Sequence, residues 1–134
     1  MRGLILLFAL GMPGAAIAAG TSALAQVSGG LWEISGAPGA TEPVRQCVTD
    51  VLLLAQYEHR GKVCARTVLR DEGLSVTISY KCGAAGFGES EIEVLTPRSL
   101  RISTQGISDQ LPFNYVLQAH RVGECAKSPA VTRH

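Results

Sequence analysis

Period-two alternation of apolar and polar residues dominates the second half of the chain. Leu74, Val76, Ile78, Tyr80 and Cys82 alternate with Ser75, Thr77, Ser79 and Lys81, which predicts a strand with one apolar and one polar face. Gly88, Ser90, Ile92 and Val94 alternate with Glu89, Glu91 and Glu93; Leu100, Ile102 and Thr104 alternate with Arg101, Ser103 and Gln105. Residues 106–112 read as a loop, and residues 113–122 as the last strand. Upstream, residues 31–35 and 63–70 predict two further strands, separated by the loop 36–43 with its two prolines and two glycines. Turns fall at 71–73, 83–86 and 96–98. A three-residue turn at 96–98 sets Ile92 opposite Ile102 and Glu93 opposite Arg101, both sensible cross-strand pairs. The register of the hairpin at 71–73 stays open. A two-residue turn at Glu72-Gly73 places Val63 and Leu69 on the apolar face; a three-residue turn places Cys64, Val68 and Arg66 there.

One helix interrupts this pattern. Thr49 can cap it, Asp50 suits its positive end, and Val51, Leu52, Leu53, Leu54 and Ala55 are all apolar, so residues 49–58 predict a buried helix. His59, Arg60 and Lys62 sit where cations favour a helix C-terminus, and Gly61 can end it. The expected fold is mainly β (α+β): an antiparallel meander of about six strands with one buried helix. Either the helix covers the apolar face or the sheet curls into a partial barrel. Trp32, Leu74, Val76, Ile78, Tyr80, Ile92 and Ile102 then form the core, or line an apolar ligand site inside the curl.

The first residues lack this alternation and read as an export leader. Arg2 is a minimal positive region, residues 4–10 are uninterruptedly apolar, and Gly11, Pro13 and Gly14 break the run, which is too short for a membrane span. Ala23-Leu24-Ala25 offers the small-x-small pattern for cleavage, with Ala16-Ile17-Ala18 a weaker second site. Cleavage after Ala25 divides the chain into a leader, 1–25, and one domain, 26–134. It leaves no stable membrane anchor and predicts a periplasmic or secreted protein. The whole chain carries 12 basic and 11 acidic residues, and loss of Arg2 leaves the mature chain neutral, which gives no electrostatic support for a nucleic-acid partner.

The four cysteines, Cys47, Cys64, Cys82 and Cys125, all follow the leader, and their even number in a small exported chain predicts two disulfides. Their separations of 17, 18 and 43 residues contain no close pair of the kind zinc or thiol redox chemistry uses. Cys47–Cys64 with Cys82–Cys125 is the favoured pairing; the other two pairings stay open.

The order of these pieces resembles the exported proteobacterial family called domain of unknown function 3617. The resemblance rests on Gly30-Leu31-Trp32-Glu33-Ile34, on Cys47-Val48-Thr49 opening the helix, on Cys64, on the strand ending in Cys82, and on the closing Arg121-Val122-Gly123-Glu124-Cys125. It implies an exported location and four oxidised cysteines, and it implies no activity. The chain lacks the methionine-rich stretches associated with many members, so the resemblance implies no methionine-based metal site.

Candidate chemistry is sparse. No nucleophile elbow, zinc-protease motif or phosphate loop is present. Glu89, Glu91 and Glu93 stand about 6.6 Å apart by strand rise, too far for joint tight coordination of a cation, and are expected to be a solvated face balanced by Arg98 and Arg101. His120, with Asp109, is the candidate for a hydrolytic site. The expectation is a non-enzymatic binding or interaction module without cofactor, taking an unidentified protein or a small apolar ligand. The alternatives are a small hydrolase using His120 and a structural envelope protein that docks a partner.

Overall fold

A computed structural model describes residues 22–126, together with Gly11 and Gly14. The apolar segment 4–10 that reads as an export leader, Ala16-Ile17-Ala18 and His134 lie outside the described residues. Seven antiparallel strands form one sheet: β1 (Gly30–Ser35), β2 (Val44–Val48), β3 (Ala65–Glu72), β4 (Ser75–Lys81), β5 (Gly86–Thr96), β6 (Ser99–Ser108) and β7 (Leu111–Gly123). Their spatial order is β2-β1-β7-β6-β5-β4-β3. Strands β3 to β7 are a meander, and β1 returns to pair with β7, carrying β2 outside it. The sheet is open, not curled into a barrel, because β2 and β3 are both edges.

The alternation places Trp32, Ile34, Val76, Ile78, Tyr80, Ile92, Leu100, Ile102, Leu117 and Ala119 on one face, all nearly or fully buried. Leu74 departs from expectation. It is 64% exposed, because the β3–β4 hairpin turns at Gly73-Leu74, one residue later than read from sequence. A bulge at Leu69 then shifts the register, so Val68 and Arg66 share the inner face with Ile78 and Tyr80. The pairs Ile92–Ile102 and Glu93–Arg101 form as expected, through a two-residue turn and an irregularity at Leu95.

The segment 106–112 is not a loop. Gly106 to Ser108 continue β6, and Leu111 and Pro112 already belong to β7. The tight turn between them has positive φ at Asp109 (47°) and Gln110 (68°). Two-residue hairpin turns of this hand normally carry Asn-Gly or Asp-Gly, so Gln110 hid the turn. Replacing Gln110 by Gly is expected to raise stability by about 0.5–1 kcal/mol, as the left-handed penalty outweighs the flexibility glycine adds to the unfolded chain. Urea denaturation of the two proteins checks this.

The buried helix runs from Val51 to His59 and is of the 3-10 type, kinked at Gln56. Asp50, not Thr49, caps it, its Oδ1 accepting the Leu52 N–H at 2.9 Å. The tighter helix has a geometric reason. The chain leaves β2 at one edge of the sheet and must reach β3 at the other. A 3-10 helix rises about 2.0 Å per residue against about 1.5 Å for an α-helix, so each of the two short stretches that meet at Gln56 carries the chain further. Gln56 secures the far end: its amide donates to the Lys62 carbonyl and accepts from Arg66, each at 3.1 Å.

This crossing overturns the favoured disulfide pairing. Cys47 and Cys64 flank the helix and therefore lie at opposite edges of the sheet. The bridges are Cys47–Cys125 and Cys64–Cys82. In the first, Cys47 pairs with Leu31 of β1, whose other neighbour is Gly123 near Cys125. In the second, both cysteines stand at the ends of the paired strands β3 and β4. Each bridge thus ties down one edge strand.

Candidate functional site

With the inner face filled, a concavity lined by aromatic and charged side chains lies where the helix ends. It is a cleft of about 650 Å³ between residues 57–60, the start of β7 and the loop at Ala37-Pro38. That volume falls in the range of small-molecule sites. Its position follows from the fold. The residues after the kink at Gln56 form one wall, and Ser108 and Asp109 at the β6–β7 turn form part of the opposite one.

Aromatic and charged groups share the cleft. Tyr57, Phe113 and Tyr115 supply rings; Glu58, Arg60 and Asp109 supply charges. The Tyr115 hydroxyl donates to Glu58 Oε2 at 2.6 Å, fixing the carboxylate beside the ring. Burial, and then the adjoining carboxylate as acceptor and as charge, raise the Tyr115 pKa well above its ordinary value, so the phenol keeps its proton and remains a donor. Arg60 is occupied locally: its guanidinium lies 4.5 Å from the Tyr57 ring centroid and its Nη1 donates to the Tyr57 carbonyl at 3.0 Å.

Behind the cleft, His59 is buried. Sequence reading placed it at the helix end, where the dipole favours a protonated ring. Instead its Nε2 lies 3.0 Å from the Ala85 carbonyl and its Nδ1 3.1 Å from the Tyr80 hydroxyl. A carbonyl only accepts, so Nε2 carries a proton, and in the neutral ring Nδ1 accepts from Tyr80. Ala85 O also accepts the Asp109 N–H at 3.3 Å, which joins the histidine to the cleft rim. Ser90 donates to the Ala55 carbonyl at 2.5 Å, and Thr104 Oγ1 lies 2.8 Å from Ser90, so the buried hydroxyls under the helix are paired. The Tyr80 ring lies over Gly88, where a Cβ would come within 2.5 Å of the hydroxyl.

Burial pushes the Tyr80 pKa up to about 12, with the Glu58 charge adding and the Thr104 hydroxyl opposing. The sign for stability follows. The unfolded phenols release their protons near pH 10 while the folded ones hold theirs, so the contribution of these two tyrosines is level below pH 10 and is lost as the pH rises from there towards pH 12. Ultraviolet titration of the folded protein is expected to show two tyrosines ionising only with alkaline unfolding; simple ionisation of every tyrosine near pH 10 would contradict this.

The hydrolytic candidate separates. Asp109 sits in the β6–β7 turn, whereas His120 is near the other end of β7, opposite Ser99 and Glu33. Their separation along the strand is about 30 Å. The Ser99 hydroxyl does lie 2.9 Å from His120, but through Nδ1 and on an exposed surface. In serine hydrolases Nε2 takes the serine proton and Nδ1–H faces the orienting carboxylate. Glu33 is held instead by Arg45 at 3.2 Å. Of the other residues expected to line a ligand site, Trp32, Val76, Ile78, Tyr80, Ile92 and Ile102 are fully buried core, and Leu74 is in a turn. Trp32 has no hydrogen-bond partner for Nε1 among the described residues. Glu89 and Glu91 line a separate polar trough of about 460 Å³ on the outer face, beside Thr77, Ser103 and Gln105.

Sequence reading missed Glu58, Arg60 and Tyr115 as a group, since their union depends on the helix crossing the sheet. No family model, curated protein or solved structure matches the chain.

Proposed function

We propose that this is an exported, non-catalytic binding module whose ligand enters the cleft around Glu58 and Tyr115. The two disulfides point to an oxidising, extracytoplasmic compartment, and no helix among the described residues is long and apolar enough to cross a membrane. The apolar face is unsuited to a ligand, because protein side chains fill it. The resemblance to the family called domain of unknown function 3617 supports this reading, since it implies an exported chain with four oxidised cysteines.

The observation that carries the reading is the Glu58 carboxylate held by a protonated phenol at the edge of an aromatic cleft. One oxygen takes the Tyr115 hydrogen bond, and the other offers an acceptor to a ligand. Glu58 and Asp109 set two carboxylates against the one guanidinium of Arg60 in the lining, so the cleft's formal charge is negative. A small amine with an aromatic or apolar body fits this chemistry: its ammonium would meet Glu58 and its body the rings.

Phenethylamine and phenylacetate have the same shape and opposite charge, and they separate this reading from general stickiness. Titrated into labelled protein, phenethylamine is expected to shift the amide resonances of residues 57–60 and 113–115, and phenylacetate is not. Glu58→Gln is expected to weaken the amine about tenfold, the loss of one charge-assisted contact. Equal binding of both probes, or shifts elsewhere, would reject the cleft as an amine site.

A further inference from the structure

The short helical turn Ser22–Leu24 is part of the folded domain, although Ala23-Leu24-Ala25 reads as an export cleavage motif. Ala23 is 5% exposed and Leu24 8%, and both belong to the main apolar core. The Ala23 N–H donates to Asp71 Oδ1 at 3.0 Å, and the Leu24 carbonyl accepts the Val27 N–H at 3.0 Å. This turn has a structural task. The helix Val51–His59 packs over β5, β6 and β2, whereas Ser22–Leu24 packs over β3 and β4. It covers the end of the β3–β4 hairpin, where Asp71 pairs with the fully buried Val76. Cutting the chain after Ala25 would strip that cover.

We infer that the leader is removed upstream of Ser22 and that residues 22–25 stay in the mature protein. The second small-x-small site, Ala16-Ile17-Ala18, is then the processing site. A membrane signal endopeptidase hydrolyses the Ala18–Ala19 peptide bond with one water, leaving a carboxylate on Ala18 and an ammonium on Ala19. The inference rests on the export reading given above, and it differs from cleavage after Ala25 by seven residues.

The test is the intact mass of the full chain expressed with its own leader and recovered from the periplasm. A mature protein beginning at Ala19 is expected. Ala18→Trp is expected to block processing there, and Ala25→Trp, at an exposed position, to leave the N-terminus unchanged. A protein beginning at Gln26 would overturn the inference while leaving export intact. Retention of Met1 in the cytosol would overturn export itself, and the inference with it. A second readout is independent of the cleavage enzyme. Leu24→Ala in the exported, processed protein is expected to lower Tm by on the order of 10 °C, the effect of a large-to-small core change in a domain of this size. An unchanged Tm would mean that residue 24 had left with the leader.

Discussion

Removing the Cys47–Cys125 bridge by substituting both cysteines with alanine is expected to lower the unfolding free energy by about 4.5 kcal/mol, and removing Cys64–Cys82 by about 3 kcal/mol. The ranking follows from the chain lengths they close, with separations of 78 and 18 residues. A longer loop loses more freedom in the unfolded chain when it is tied. Architecture adds to the difference. Strand β2 is five residues long and pairs only with β1, so without its bridge it is an edge held by one short ladder. Strand β3 is longer and remains paired with β4 along most of its length. Small domains have about 5–15 kcal/mol in total, so loss of both bridges is expected to leave the chain largely unfolded at 37 °C. Urea denaturation of the two double variants checks the order, and a larger loss from Cys64–Cys82 would contradict it.

Gly86→Ala is expected to be the most damaging single methyl addition in the turn that leads into β5. Gly86 has φ of +124°, and a Cβ there would collide with the Ile107 carbonyl oxygen and come within 2.9 Å of His59 Nε2. Neither obstacle yields cheaply, since one is backbone in the β5–β6 ladder and the other is a histidine fixed by two hydrogen bonds. The expected cost exceeds about 3 kcal/mol, combining backbone strain with overpacking. Gly83 lies in the same turn with φ of +62° and open space around it. Gly83→Ala therefore costs about 1 kcal/mol, the left-handed penalty alone. The pair separates a conformational requirement from a packing one. Similar losses at both positions would mean that Gly86 is not wedged against β6 and His59.

Much of the sheet was legible because its periodicity is strong. Residues 76–82, 88–94 and 100–105 each bury one face and leave the other more accessible, and period two reports that directly. Elements without that asymmetry were hidden. Strand β2 is an edge with only Val48 buried, so Val44-Arg45-Gln46-Cys47-Val48 carries no alternation. The end of β6 and the start of β7 were concealed by Gly106, Pro112 and a tight turn lacking glycine at its second position. The bulge at Leu69 left the first hairpin unresolved, since either simple turn misplaces half of β3.

The cleft was illegible for a different reason. Glu58 and Tyr115 are 57 residues apart and meet because the connection from β2 to β3, which contains the helix, crosses the sheet. Nothing local to either residue encodes that crossing. Its indirect signal was the cysteine pattern, which proximity along the chain misread. Cysteines flanking a short helix suggest a bridge across it, yet this helix carries its two ends apart.

Non-reducing peptide mapping of the purified, oxidised protein tests that crossing most directly. The fold described here predicts Cys47 linked to Cys125 and Cys64 linked to Cys82, with no alkylatable thiol. A peptide joining Cys47 to Cys64 would bring together the two strands placed at opposite edges, and would contradict both the strand order and the cleft built on it.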